Sequence, residues 1–144
     1  MENLENEVIL DTDVIIDFLK KKPEPEALRI FHQIRTGKLT AKITSITAFE
    51  LYRGARLSPN PKQSMGDIKT LGGYMNILPF DEKSADTASE ICIYLEKQGE
   101  PIEVRDLFIG AIAKTKDTLL ITRNVTHFQR IPGLKLMTPE NLRA

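Results

Sequence analysis

A chain of 144 residues, 41% apolar and 28% charged, is long enough for one compact domain around a single core and ordinary for a globular protein. Lysine plus arginine and aspartate plus glutamate both number 20, giving a formal net charge of zero, so no global basic field marks a nucleic-acid binder and a polyanion would need a local basic patch or bound metal ions. One cysteine and two histidines exclude an internal disulfide and argue against a Cys/His zinc centre.

The stretch from Met1 to Glu7 is acidic and lacks the basic-then-apolar order of a signal peptide. No apolar run reaches membrane-spanning length, which points to a cytoplasmic protein. Val8 to Leu10 reads as a buried strand, because β-branched residues fill it without alternation. Asp11 then falls where that strand ends and a helix begins. The helix over Val14 to Lys20 is closed by Pro23, and a second runs from Pro25 with Ala27, Ile30, Phe31 and Ile34 on one face until Gly37. His32 lies off that face.

Lys42-Ile43 begins a short strand ending near Thr44-Ser45. A helix follows to Leu57, with its N-terminus at Ser45 or Thr47, and Ser58-Pro59-Asn60-Pro61 breaks it. Lys62 to Leu71 is helical, Asn76 to Phe80 is a strand, and Asp81 caps a long amphipathic helix stopped by Gly99. Its predicted apolar stripe is Ala85, Ala88, Ile91, Cys92 and Leu95, making Cys92 a buried, inert thiol.

Asp106 to Lys114 is apolar on nearly every side, so it packs against a sheet and its neighbours, and Gly110 with Ala111 allows close approach. Thr118 to Thr122 is another buried strand. Asn124 to Phe128 forms a turn or short helix, Leu134 to Met137 a last strand, and Thr138-Pro139-Glu140 starts a terminal helix. Strands alternate with helices throughout, indicating an α/β/α sandwich with a mainly parallel central sheet as one domain over residues 1–144.

The polar residues then fall into place on that frame. Asp11, Glu50, Asp106 and Asn124 all sit at helix N-termini, which line one edge of a parallel sheet. Each has a plain structural explanation. Asp11 or Thr12 can cap a helix, Thr47 to Glu50 matches a capping box, Asp106 suits a helix dipole, and Asn124 is a favoured cap. For the set these explanations do worse, because carboxylates gathered beside apolar elements repel one another and lose water. A hard divalent cation resolves the conflict. Oxygen donors without histidine or cysteine favour Mg²⁺ or Mn²⁺, which acidifies water and neutralises a scissile phosphate. No phosphate loop, nucleophile elbow or Cys–His pair supports NTPase or acyl-transfer chemistry.

Four motifs carry a family resemblance: Leu10 to Leu19, Ser45-Ile46-Thr47 with Glu50-Leu51 and Gly54, Asp106 to Ala113, and Leu120 to Asn124 with Phe128. In that order and spacing the chain resembles the PIN domain, and within it the VapC-type toxins of prokaryotic toxin–antitoxin pairs. The resemblance spans about Val8 to Met137. It implies a Mg²⁺- or Mn²⁺-dependent endoribonuclease with catalytic, metal-holding Asp11, Glu50 and Asp106. It also implies a homodimer and a small cognate antitoxin that inserts into or covers the acidic groove. Asn124 stands where many such nucleases have a fourth aspartate. It can donate an oxygen but no negative charge, so it is a weaker metal ligand, and one firmly held ion is expected. Asp13 is expected to support the site from outside the ligand set, and Asp17 is too far along its helix to join it.

Arg53, Arg105 and Arg123 lie near the expected edge and could hold RNA phosphates, temper the acidic cluster or form surface ion pairs. His127 is read as a solvated histidine. Two other readings compete. Asp11-Thr12-Asp13 after an apolar strand resembles the nucleophile signature of haloacid-dehalogenase-type phosphatases, although the chain is short for that fold. Alternatively, Asn124 marks a degenerate, non-catalytic module that binds RNA or protein.

Overall fold

A computed structural model of the chain describes residues 6–142. The acidic stretch read as lacking a signal peptide lies outside them, apart from Asn6 and Glu7. Five strands form one sheet: β1 Glu7–Leu10, β2 Thr40–Thr44, β3 Asn76–Leu78, β4 Leu119–Ile121 and β5 Leu136–Met137. Their spatial order is β3-β2-β1-β4-β5, and every pairing is parallel. Each connection is therefore a crossover, made by α1 Thr12–Leu19, α2 Pro25–Arg35, α3 Ser45–Leu57, α4 Pro61–Gly72, α5 Glu82–Lys97, α6 Val104–Thr115 and α7 Val125–Phe128. A 3-10 turn, Pro139–Asn141, follows the last strand.

The pleat of β1 separates two cores. Val8 and Leu10 face a cluster with Ile15, Ile30, Phe31, Leu51 and Leu71 from α1 to α4. Ile9 faces the opposite cluster with Ile91 and Leu95 of α5, Ile109 of α6 and Phe128 of α7. These are the two outer layers expected of an α/β/α sandwich, with the middle strand buried on both faces. Among the described residues no helix is long and apolar enough to cross a membrane.

After β3 the chain passes beyond β1 to build β4 on its far side. The order thus reverses at β1, and the crevice at the carboxyl ends of β1 and β4 is the topological switch point.

Several local details differ from expectation. The cap of α3 is Thr44, whose hydroxyl accepts from the Thr47 N–H at 3.1 Å. Glu50 is therefore not the closing residue of a capping box begun at Thr47. The buried stripe of α5 is Ser84, Ala88, Ile91 and Leu95. Ala85 lies in solvent and Cys92 is only partly buried, with Sγ 3.4 Å from Glu96 Oε1, because each sits one residue round the helix from that stripe. Gly110 is where expected: an added Cβ would lie 2.3 Å from Ile131 Cδ1, so the buried Ile131 side chain packs directly on the α6 backbone and would have to shift for any larger residue.

Candidate active site

Sheet register builds the floor of the site. Leu10 pairs with Ile121 and the Asp11 N–H donates to the Ile121 carbonyl at 2.9 Å, so the next residue on each strand, Asp11 and Thr122, lie side by side. The Thr122 hydroxyl donates to Asp11 Oδ2 at 2.7 Å and accepts from the Asn124 N–H at 3.0 Å. Asp11 Oδ1 accepts from the Thr12 N–H at 2.8 Å, which makes Asp11 the cap of α1 as well as part of the cluster. Capping and site membership use one carboxylate, so the two readings of Asp11 are compatible.

Helix α3 on one layer and α6 on the other run antiparallel to the strands, bringing their N-termini to this edge. Glu50 comes from α3, and Thr12 donates to its Oε1 at 2.6 Å while standing 3.0 Å from the Thr47 hydroxyl. Asp106 comes from the first turn of α6. Asp11 and Asp106 are almost fully buried, at 1% and 2% exposure, whereas the Glu50 side chain retains 26%.

Arg105 joins the three. Its Nη2 lies 3.0 Å from Asp11 Oδ1, its Nε donates to Glu50 Oε2, and its Nη1 donates to Asp106 Oδ1. One guanidinium thus spends a different nitrogen on each carboxylate. Burial alone would lower the pKa of Arg105, but the bond to Glu50 and the charge of Asp11 hold it above its ordinary value. Burial raises the Asp11 carboxyl above the usual range, against the opposing pull of Arg105, Thr122 and the Thr12 N–H.

Burial and the neighbouring Asp11 charge push Asp13 up to about 6. Its Oδ2 accepts from the Arg123 N–H at 3.0 Å, while Oδ1 is buried without a hydrogen-bond partner. Asp17 is buried in a separate network, away from the cluster. Burial works against its charge, but the Glu24 N–H and Arg123 outweigh it and hold the carboxyl below its usual range.

The four site candidates therefore do meet. Asn124 reaches the cluster through Nδ2, 3.4 Å from Asp106 Oδ2 and 3.0 Å from His127 Nδ1. His127 Nδ1 also lies 3.4 Å from Asp106 Oδ2, so this histidine, with 45% of its side chain exposed, is solvated and borders the cluster as well. Of the arginines, only Arg105 enters it. Arg123 pairs with Asp17, Glu26 and Glu140, an ion-pair network that ties the C-terminal turn to α1 and α2. Arg53 is exposed and lines a shallow groove with Phe49, Tyr52 and Arg56, and no hydrogen bond joins it to Glu50 among the described residues. Sequence reasoning missed the part played by Thr47, whose hydroxyl meets that of Thr12; a threonine three residues before Glu50 was the available signal.

The oxygen donors of Asp11, Glu50 and Asp106 suit a hard divalent cation chemically. Their present arrangement is built around a guanidinium. Among the described residues no group of three or more His, Cys, Asp and Glu side chains is disposed to hold a metal ion.

Residues 8–134 match the family profile of the PIN domain. The chain belongs to the PIN domain family. This PIN domain is 33% identical over 127 residues to ribonuclease VapC2 of Haemophilus influenzae strain Rd, an alignment covering 88% of this chain and 93% of the relative. It is 29% identical, with the same coverage, to the tRNA(fMet)-specific endonuclease VapC of Shigella flexneri. Its fold superimposes on a chain in the crystal structure of VapBC2 from Rickettsia felis bound to a DNA fragment from their promoter, with TM-score 0.82, 26% identity, and 92% of this chain and 98% of that one covered. The haloacid-dehalogenase alternative is set aside on two grounds. The PIN match spans the Asp11 motif, and both oxygens of the buried Asp11 are engaged by Thr122, the Thr12 N–H and Arg105, unlike an accessible nucleophile.

Proposed function

We propose that this PIN domain is an endoribonuclease that hydrolyses RNA phosphodiester bonds with Mg²⁺ or Mn²⁺ held by Asp11, Glu50 and Asp106, acting in the cytoplasm as the toxin of a toxin–antitoxin pair. The observation that carries the reading is the convergence of these carboxylates, from the cap of α1, the second turn of α3 and the first turn of α6, at the switch point of a PIN fold. The ribonuclease names of the relatives support it.

A divalent cation bound there supplies charge neutralisation at the scissile phosphate and makes water more acidic. The chain's own residues do the rest. Thr122 and the Thr12 N–H fix Asp11, and Thr12 fixes Glu50, so these two carboxylates are already oriented when substrate arrives. Glu50, the most exposed of the three, is the carboxylate that water reaches, and it accepts the proton as water attacks the phosphate in line. Asn124 supplies an amide instead of a charge next to Asp106 and is the weakest member of the donor set.

A groove of about 400 Å³ between α1, α3 and α4, lined by Ile16, Leu19, Leu51, Ala55 and Ile68, borders Glu50. Its apolar wall beside the acidic mouth suits an antitoxin segment, a reading supported by the likeness of the chain to one in the structure of VapBC2 from Rickettsia felis. The exposed Phe49 and Leu57 on α3 offer a face for a second copy of the chain.

The test is cleavage of RNA by purified protein with Mg²⁺ or Mn²⁺ and with EDTA. Asp11→Asn and Asp106→Asn are each expected to lower the rate by a factor of at least about 100, the scale of losing a charge that stabilises the transition state. Metal-independent cleavage, or full activity in both variants, refutes the assignment. No cleavage together with no Mn²⁺-linked rise in melting temperature favours a non-catalytic binding module.

A further inference from the structure

Each carboxylate of the cluster has one oxygen held by the scaffold and the other turned to Arg105, with the Arg105-facing Asp11 Oδ1 also accepting from the Thr12 N–H. Asp11 Oδ2 is held by Thr122, Glu50 Oε1 by Thr12, and Asp106 Oδ2 faces Asn124 and His127. The remaining oxygens, Asp11 Oδ1, Glu50 Oε2 and Asp106 Oδ1, all accept from one guanidinium. A cation recruited from solution needs these same three atoms. We infer that Arg105 is a built-in counter-ion that competes with the divalent metal, so that guanidinium and metal are alternative occupants of the acidic cluster. This rests on the metal-dependent reading above and adds to it a reason for the metal-free protein to be stable and inactive.

Three physical features support the competition. Arg105 directly precedes Asp106 in the chain, so its effective concentration at the site is set by the fold and does not fall on dilution. A guanidinium stays charged at every accessible pH, so only displacement removes it. Three carboxylates so close together repel one another unless a cation sits among them. With only 30% of its side chain exposed, Arg105 is enclosed by the cluster and does not sample it from solvent.

The experiment compares Mn²⁺ binding by calorimetry, and Mn²⁺-linked melting, in the wild-type full chain and in Arg105→Gln, Arg105→Lys and Asp11→Asn. Arg105→Gln is expected to melt lower without metal and to bind Mn²⁺ at least about tenfold more tightly, because charge-assisted bonds to the ligand oxygens no longer oppose the ion. Arg105→Lys keeps the charge but loses the three-way fork, so its Mn²⁺ affinity falls between those two, and it serves if Arg105→Gln does not fold. A folded Arg105→Gln or Arg105→Lys that binds Mn²⁺ no more tightly than wild type overturns the inference. Asp11→Asn separates the two levels. If it abolishes binding while the Arg105 variants leave affinity unchanged, the metal site stands and the competition is refuted. If Asp11→Asn leaves Mn²⁺ affinity unchanged, or no variant binds Mn²⁺, the metal-site reading fails and the inference falls with it.

Discussion

Replacing Thr122 with valine removes one hydroxyl of no solvent exposure while keeping the shape of the side chain. That hydroxyl donates to the Asp11 carboxylate at 2.7 Å and accepts from the Asn124 N–H at 3.0 Å. A hydrogen bond to a buried charged group contributes about 1.5–3 kcal/mol, and an orphaned amide adds about 1 kcal/mol, so Thr122→Val is expected to destabilise the metal-free protein by about 2.5–4 kcal/mol at pH 7. The effect depends on pH in a definite direction. Burial already raises the Asp11 pKa above 3.8, so Asp11 contributes least to stability where it is ionised, and that cost sets in as pH rises through its folded pKa. Losing the Thr122 donor raises that pKa further. The cost of Thr122→Val must therefore be larger at pH 7 than at pH 4, where the carboxyl takes up its proton more readily. Urea unfolding of wild type and variant in EDTA at both pH values measures it, with Thr122→Ser as the hydroxyl-retaining control. A difference below about 0.5 kcal/mol, the size of an ordinary surface change, or an equal cost at both pH values would refute the reasoning.

Arg123→Ala should act on stability, because it strips the buried Asp17 of its main cation and frees the C-terminal turn from Glu26 and Glu140. The expected cost is about 2–4 kcal/mol at pH 7, on the scale of breaking a buried pair. Since the Asp17 pKa is lowered in the fold, that contribution is present above pH 3.8 and lost as pH falls through the folded value. Acid titration of the melting temperature should show the variant and wild type converging, and a gap that persists would contradict the network. Gly110→Ala sets a methyl 2.3 Å from Ile131 Cδ1, so overpacking by about 1–3 kcal/mol is expected despite alanine's better helix propensity. Adding Ile131→Val removes the clashing methyl, and a double-mutant cycle should show the pair costing less than the sum of its parts. Strict additivity would place the strain elsewhere.

Strand–helix alternation, the buried middle strand and the approach of Asp11, Glu50 and Asp106 were all legible because they follow from local patterns and from one rule, that helix N-termini gather at one edge of a parallel sheet. Helix faces were less legible. The α5 stripe runs through Ser84, Ala88, Ile91 and Leu95, and Ala85 and Cys92 each lie one residue further round the helix than a member of that row. The Thr47 capping box failed because Thr44 had already taken that amide.

The sequence alone therefore determined which residues would be carboxylates at the sheet edge, since chain order and periodicity decide that. Only the tertiary structure decided who partners whom. Arg53, Arg105 and Arg123 are indistinguishable as arginines near an edge. Yet Arg105 is enclosed by the acidic cluster, Arg123 binds a separate network and Arg53 faces solvent. The physical reason is that ion pairing depends on side-chain direction across elements distant in the chain. Arg105 and Asp11 are 94 residues apart and meet only because β1 ends and α6 begins at the same edge.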